Sequence, residues 1–393
     1  MSSLQYSSVQ PDNNRSVYNP LDVVNFTVNN QGRSLVLGSV KLEGKLRVNS
    51  TGTGSGATRA ATAQDIRFNN NAGAGVFIDG VSIQTANSGQ LENISFDYAR
   101  YINMVAVASK DANDSISSKD VCDLKAPNDQ LTSEYCYGVT SKASTPGSAV
   151  DIDFSHKLKV CLNRNVSGDQ IPFSKSGFMK ISLSLARNSQ AFYGTYRTSG
   201  TNNMSTVNYT LSDLVISYQT VPDAGNAPPA IMRTIVPIKS TLESDFSNVA
   251  SSVPAKCSGV TISYQFQERE NKLVDSNGNS QVWDNSALNK IPNWESIQFI
   301  FNNSNSEYVS YIIDSEQEAL KRAIESMSDT GHDMVSLDKM DTNQNLIHGL
   351  SFGGEMIDLS NQKFNVQLNA PGGLNGVTNA MVIYLFFHSM VSV

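Results

Sequence analysis

Two pairs of carboxylates lie close enough along the chain to suggest acid–base chemistry. Glycoside hydrolysis needs two acids roughly 5 to 9 Å apart in a cleft, and the candidates are Glu92 with Asp97, or Glu268 with Glu270. No surrounding motif selects either pair. A β-sandwich polysaccharide hydrolase or lyase is therefore the function that these residues support least.

Asp275, Asn277 and Asn279 resemble part of a calcium-binding loop. No glutamate follows at the distance that such a loop requires, so DSNGNS at 275–280 predicts a hairpin turn instead. A second acidic group has similarly unsuitable spacing, and its members are Asp338, Asp341, Asn343 and Asn345. The sequence therefore predicts no metal-binding residue.

Two glycine-rich segments raise the question of phosphate binding. GSVKLEGK at Gly38–Lys45 contains residue types of a phosphate loop, but its spacing is wrong and it lies in a predicted strand. NAGAG at Asn71–Gly75 precedes a predicted strand rather than a helix, which indicates an ordinary loop. The chain contains no G-x-S-x-G, H-E-x-x-H or P-loop motif. We therefore predict no catalytic or cofactor-binding residue, and a protein that is not an enzyme.

The histidines and tryptophans provide no strong candidate for a binding site. The histidines are scattered, at positions 156, 332, 348 and 388. His388 lies in an apolar segment and is predicted to be a packed or hydrogen-bonded core residue rather than a ligand. Trp283 and Trp294 flank one loop, where they would be able to stack on a sugar, but partial burial in the second domain is the preferred interpretation.

Composition and charge exclude some partners. The 393 residues carry a net charge of −7, and 17% are charged, against about 25% in typical domains. Neutralising phosphates needs clustered Lys and Arg, so no direct sequence-specific nucleic-acid partner is expected. No apolar stretch approaches the ~20 residues of a membrane-spanning helix. The start of the chain lacks the features of a signal peptide.

The four cysteines are Cys122, Cys136, Cys161 and Cys257. Their spacings match no zinc pattern. Cys122 and Cys136 are able to form a disulfide, but reduced thiols in a cytosolic product are the preferred interpretation.

Short apolar segments predict many strands. Period-two alternation marks 23–28 and 35–48 as half-buried strands. Further candidates are 76–83, 150–162, 178–186, 190–196, 211–221, 231–238, 260–268, 296–301, 356–359, 364–368 and 382–388. Many short strands with few helices indicate β-sandwiches, without specifying their topology.

Two helices and two long excursions interrupt the strands. A stripe of Ile94, Tyr98, Tyr101, Ile102 and Val105 predicts a helix within 93–110. A capping box of Ser315 and Glu318 begins another, whose apolar face is Leu320, Ile324 and Met327, with Ala319 and Ala323 beside it. Polar excursions at 111–147 and 302–345 are predicted to face outward.

The chain is predicted to consist of two similar β domains. YTLSDLVISYQTV at Tyr209–Val221 and VTNAMVIYLFFHSMVSV at Val377–Val393 are alike in kind, and each closes a series of strands. PDAGNAPP at Pro222–Pro229 cannot continue a central strand. We therefore predict an N-terminal arm at 1–20, a first domain at 21–221, a linker at 222–230 and a second domain at 231–393.

Several segments together resemble a known family. NRSVYNP at 14–20 resembles the end of an N-terminal arm, and MKISLSLARNSQAFYG at 179–194 with LSDLVISYQTVP at 211–222 resembles the close of a first jelly roll. IMRTIVPIKSTLESDF at 231–246 and TNAMVIYLFFHS at 378–389 resemble the opening and closing strands of a second. The pattern is similar to that of the double jelly-roll major capsid proteins of tailless icosahedral viruses, such as membrane-containing bacteriophages, adenovirus-like viruses and virophages.

The resemblance implies an all-β fold of two tandem eight-stranded jelly rolls, with short helices in loops. It implies a homotrimer that forms a pseudo-hexagonal block and packs against neighbouring capsomers, penton and minor capsid proteins, and in some cases an internal membrane. The implied location is the virion, after assembly in the host cell cytoplasm. The alternatives are a jelly-roll receptor- or glycan-binding virion protein, as a spike or minor vertex protein.

Overall fold

The computed structural model describes residues 3–50, 66–69, 71–109, 122–124, 151–197, 207–225, 227–242, 246–252, 256–266, 273–274, 279–282, 284–289, 291, 294–302, 308–328, 347–352, 356–359, 363–369 and 381–393. Most of the predicted excursion at 111–147 lies outside these residues. Predictions for Cys136, Glu268, Glu270, Trp283 and His332, for the turn at 275–278 and for the acidic group at 338–345, also lie outside them.

The part of the chain before the proline-rich connector consists mainly of short strands. They are β1 Gln5–Val9, β2 Val17–Tyr18, β3 Val23–Val28, β4 Arg33–Val36, β5 Lys41–Ser50, β6 Ile66–Arg67, β7 Ile78–Thr85, β8 Gly89–Ile94, β9 Ile152–Lys157, β10 Asn165–Ser167, β11 Gln170–Pro172, β12 Met179–Leu185, β13 Tyr193–Arg197 and β14 Val207–Pro222. The helices are α1 Tyr98–Ser109, α2 Phe173–Ser176 and α3 Asn188–Ala191, with 3₁₀ turns at Gly73–Phe77 and Cys161–Asn163.

The part after the connector repeats this pattern. Its strands are β15 Ile231–Leu242, β16 Phe246–Ser252, β17 Lys256–Cys257, β18 Gly259–Phe266, β19 Leu273–Val274, β20 Asn279–Val282, β21 Ser296–Asn302, β22 Tyr308–Ile313, β23 Ile347–Ser351, β24 Ile357–Asp358, β25 Lys363–Asn369 and β26 Met381–Ser392. Among its described residues, the helix is α4 Glu316–Ser328.

Each half forms a pair of antiparallel sheets with the same strand order. In the first half the main sheets are β1–β14–β5–β9 and β3–β12–β7–β8. In the second half they are β15–β26–β18–β23 and β16–β25–β21–β22. When the eight main strands of each half are numbered along the chain, both halves have the orders 1–8–3–6 and 2–7–4–5. This is the double Greek key of a jelly roll, so we call the halves the first and second jelly rolls.

Alternation places the apolar side chains between the two sheets of each jelly roll. In β12, Met179, Ile181 and Leu183 are buried, and Ile181 is paired with Phe26 of β3. The predicted strands at 23–28 and 178–186 are therefore confirmed. The predicted strand at 35–48 is divided into β4 and β5, because Gly38 has a φ of +83°, which extended backbone does not adopt.

The predicted extended arm is partly incorporated into the first jelly roll. Gln5 pairs with Thr220 and Val9 with Ile216, so β1 lies along β14, and β2 pairs with the same strand. Between Pro222 and Ile231 the described residues contain no helix or additional strand. The division of the chain at 222–230 stays a prediction.

Both predicted helices are present, with corrections. Ile94 ends β8, and α1 begins at Tyr98. The start of α4 is confirmed, because the N–H of Glu318 donates to Oγ of Ser315 at 3.2 Å.

The predicted apolar face of α4 is confirmed for Met327 and for the neighbouring Ala319 and Ala323, but Leu320 and Ile324 are only half-buried. The buried face comprises Ala319, Ala323, Ser326 and Met327. The helix packs closely on β23, where a Cβ on Gly349 would be 3.0 Å from Cα of Ala323, and only small side chains fit there.

Candidate functional site

The contact between the two jelly rolls is the most elaborate buried polar site in the described residues. It is built partly on β26, which is covered on both faces. One set of side chains lies in the core of the second jelly roll: Met381, Ile383, Leu385 and Phe387. The alternate set joins the apolar cluster of the first: Val382, Tyr384 and Phe386. This double burial explains why the segment is apolar throughout rather than alternating.

Helix α1 of the first jelly roll carries a buried cation into this contact. The Arg100 side chain is fully buried, and its Cζ lies 3.9 Å from the ring centroid of Tyr384. One guanidinium nitrogen donates to the carbonyl of Ala287 at 2.6 Å, and another donates to the carbonyl of Asn285. A desolvated cation over an aromatic face is attractive by about 2 kcal/mol, so Arg100 fixes the 284–289 segment against the first jelly roll.

A buried ion pair forms the second anchor. Glu92 of β8 pairs with Arg164, and both side chains are almost completely buried. The Glu92 carboxylate also accepts hydrogen bonds from the N–H of Cys161 at 2.6 Å and from the N–H of Ile235, in β15, at 2.9 Å. Burial lowers the pKa of the Arg164 guanidinium, but the charge of Glu92 and other neighbours outweigh this and raise the pKa overall. The Arg164 guanidinium therefore stays charged, and its partner Glu92 binds the backbone of the second jelly roll.

Backbone pairing continues across the contact. β10 of the first jelly roll pairs with β15 of the second, and β13 pairs with β20. Side-chain amides contribute as well, because Asn103 Nδ2 donates to the carbonyl of Ser286 at 2.9 Å and Asn69 Nδ2 donates to Asp284 at 2.7 Å. Together these bonds hold the two jelly rolls in one fixed arrangement.

Solved structures share this architecture over the whole chain. The Sputnik virophage structure has a TM-score of 0.60 at 11% identity, covering 99% of this chain and 86% of that one. The Faustovirus major capsid protein has a TM-score of 0.58 at 6% identity, covering 100% and 90%. VP54 of PBCV-1, fitted into a reconstruction of the virophage Sputnik, has a TM-score of 0.57 at 10% identity, covering 100% and 95%. No protein-family model and no curated protein matches the chain.

The chain has the double jelly-roll fold. The fold class predicted from the sequence is thereby confirmed. Within the described part of this double jelly roll, no helix is both long and apolar enough to cross a membrane.

Of the two candidate carboxylate pairs, Glu92 with Asp97 lies within the described residues, and its members have other partners. Glu92 is committed to Arg164 and to backbone N–H groups. Asp97 lies just before α1, where its N–H donates to Asp79 at 3.2 Å and its carbonyl accepts from the N–H of Tyr101. Burial raises the pKa of the Asp79 carboxyl, while hydrogen bonds from Asp97 and Gln190 oppose this. These acids serve the packing of the double jelly roll.

Two histidines of the second jelly roll are buried and hydrogen-bonded. His388 Nε2 lies 2.9 Å from Oγ1 of Thr261, as predicted for a packed core residue. His348 Nδ1 lies 2.8 Å from the hydroxyl of Tyr264. Trp294 is half-buried and packs edge-on against the His348 ring, at 4.9 Å between centroids, which confirms its predicted partial burial.

The third described histidine contacts residue 123, in the short described part of the excursion predicted at 111–147. Its ring nitrogens lie 2.6 Å from a carboxylate oxygen of Asp123 and 3.2 Å from the hydroxyl of Tyr98, and His156 is fully buried. Asp123 belongs to the short described part of that excursion. The described residues contain no group of three or more potential metal ligands.

The glycine-rich segments have structural roles. Lys41–Ser50 is strand β5, and Gly73–Phe77 is a buried 3₁₀ turn, so neither segment forms a strand–loop–helix phosphate site. Cys161 and Cys257 are buried. Since Cys136 lies outside the described residues, the reduced state preferred for Cys122 and Cys136 stays a prediction.

Neither Arg100 nor Arg164 was predicted from the sequence as a functional residue. One signal was available, because Arg100 is the only charged residue in α1. A lone arginine in an apolar helix indicates a buried cation that needs partners. Nothing in the sequence indicates that the partners are carbonyls of residues 285 and 287.

Proposed function

We propose that the protein is a structural major capsid protein whose trimers form pseudo-hexagonal blocks that tile an icosahedral viral shell. The observation that carries this proposal is the presence of two jelly rolls with the same strand order, joined by a buried interface. Three such chains supply six similar units around one axis. The shared fold with the Faustovirus major capsid protein supports the same role.

In this role the protein performs no chemistry, and its partners are other shell components. We propose that trimers contact neighbouring capsomers, penton and minor capsid proteins, and an internal membrane where one lies beneath the shell. The protein would be located in the virion after assembly in the host cytoplasm. The receptor- or glycan-binding alternative receives no support from Trp294, whose ring packs on His348.

The size and shape of the purified protein test this proposal. We expect light scattering to give the mass of a trimer, and electron microscopy to show a hexagonal block about 70 to 80 Å wide, the width expected for six sandwiches with ~10 Å between sheets plus side chains and loops. A monodisperse monomer at micromolar concentration, with no larger assembly, would count decisively against it.

A further inference from the structure

Within the chain, the two jelly rolls meet along one edge strand of each. We call the side of a jelly roll that carries a given edge strand its end. In the first jelly roll the contact uses β8, the fifth main strand, at one edge of a sheet. In the second it uses β15, the first main strand. The bond from the Ile235 N–H to Glu92 connects these two strands directly. The end of the first jelly roll that carries its fifth main strand (the fifth-strand end) thus meets the end of the second that carries its first main strand (the first-strand end). Because the two surfaces differ, the contact is heterologous.

Because the jelly rolls share one topology, each has both kinds of end. The remaining two are the first-strand end of the first jelly roll, formed by β1 and β2, and the fifth-strand end of the second, formed by β22. Within the described residues, β1 pairs only with β14, and β22 pairs only with β21. Each strand thus leaves one edge unpaired by any strand of the described chain.

These two ends also carry most of the large exposed hydrophobic side chains in the described residues. Tyr311 and Ile312 of β22 are 42% and 56% exposed. Tyr6 of β1 is 76% exposed. Other exposed residues beside or within β1 to β3 are Leu4, Val17, Leu21 and Val23. Neither β1 nor β22 contains a charged residue, although exposed edge strands are usually protected by charge or proline.

Tyr311 lies on the fifth main strand of the second jelly roll, as Glu92 lies on that of the first, and each is paired with a buried residue of the fourth main strand. Across one sheet, Ile181 pairs with Ile83, which pairs with Glu92. Across the equivalent sheet, Val366 pairs with Phe299, which pairs with Tyr311. Glu92 is 3% exposed and accepts a hydrogen bond from Ile235 of the second jelly roll, whereas Tyr311 is 42% exposed.

We propose that the β22 end of one copy docks on the β1–β2 end of a second copy, so that the contact within the chain is repeated between chains. This inference rests on the proposed capsomer function and assigns the surface that closes the trimer. A heterologous contact generates a ring when its rotation closes. Burial of the apolar residues at both ends supplies the driving force.

Two single substitutions, studied apart and mixed, test the assignment. Tyr6→Arg places a charge on the β1 end alone, and Ile312→Arg places a charge on the β22 end alone. We expect each variant to lose the trimer, with at least a tenfold weaker association in analytical ultracentrifugation, as for a central interface residue. Mixed together, they retain one intact pair of ends, so a dimer containing one copy of each is expected.

Phe178→Arg is the matched control, because Phe178 is 48% exposed but precedes the central strand β12. This variant should remain trimeric, and far-UV circular dichroism should show that all three variants are folded. Wild-type trimers with unaffected Tyr6→Arg and Ile312→Arg variants would overturn the assignment and leave the capsomer proposal standing. A wild-type chain that stays monomeric would overturn both.

Discussion

Glu92 of the first jelly roll accepts a hydrogen bond of 2.9 Å from the backbone N–H of Ile235 in the second. The same carboxylate neutralises Arg164 and binds the N–H of Cys161. A single buried charge therefore connects an ion pair in one jelly roll to the first strand of the other. Its removal should affect stability and the arrangement of the two units together.

We expect Glu92→Leu to destabilise the protein by about 3–5 kcal/mol, because the buried Arg164 guanidinium loses its counter-charge. The free energy of unfolding in urea measures this loss. Replacing both partners, as in Glu92→Leu with Arg164→Met, should recover much of it, since apolar residues of similar volume often replace a buried pair without loss.

The exposed pair of Arg47 and Asp151 provides the control. Arg47→Met should leave the unfolding midpoint nearly unchanged, because exposed pairs contribute little. A Glu92→Leu variant as stable as the wild type would contradict a structural role for the buried pair.

Arg100→Met should loosen the 284–289 segment. The carbonyls of Asn285 and Ala287 lose their buried donor, and each unsatisfied group costs about 1–3 kcal/mol. Hydrogen exchange of amides in this segment should become faster than in the wild type. Lys239→Met is the matched control, because the ammonium of Lys239 lies 5.6 Å from the same Tyr384 ring but the residue is exposed. Equal exchange in both variants would contradict the prediction.

The second jelly roll should be sensitive to acid. Burial lowers the pKa of His348 and of His388 to about 3, whereas a histidine in the unfolded chain has a pKa of about 6.5. As the pH falls from about 6.5 towards 3, the unfolded chain binds protons that the folded chain excludes, so the free energy of unfolding decreases. Each histidine contributes up to about 1.4 kcal/mol per pH unit in this window.

His388→Gln tests this pH dependence, because glutamine retains a polar group for Thr261 but does not titrate. Between about pH 6 and pH 5, the free energy of unfolding of the variant should fall less steeply than that of the wild type, by about 1 kcal/mol per pH unit. Parallel curves for the two proteins would show that His388 is not protonated on unfolding.

Gly349→Ala should destabilise the contact between α4 and β23 by about 1–3 kcal/mol, as overpacking does. The added Cβ would lie 2.8 Å from Cβ of Ser326 and 3.0 Å from Cα of Ala323. On a Ser326→Gly background the same substitution should have a smaller effect, which a double-mutant cycle of unfolding free energies measures. Additive effects would contradict a direct contact.

The sequence was most informative where a side-chain pattern depends on local burial. The alternation at 23–28 predicted β3, and the Ser315–Glu318 motif predicted the start of α4. The sequence did not predict β1 or β22, whose exposed side chains have no clear apolar periodicity. Both are strands because their backbones bond to β14 and β21, and backbone bonding leaves no signature in residue type.

The sequence alone determined that this is a β-rich chain with two similar halves, because strand-forming residues, turn residues and a proline-rich connector act over a few neighbouring positions. Only the tertiary structure decided which strands meet, such as β1 with β14, about 210 residues away. It also decided that Glu92 is a structural anchor rather than a catalytic acid. Arg100, which the sequence did not single out, is a second anchor. Their roles depend on groups from the other jelly roll, which folding alone brings within hydrogen-bonding distance.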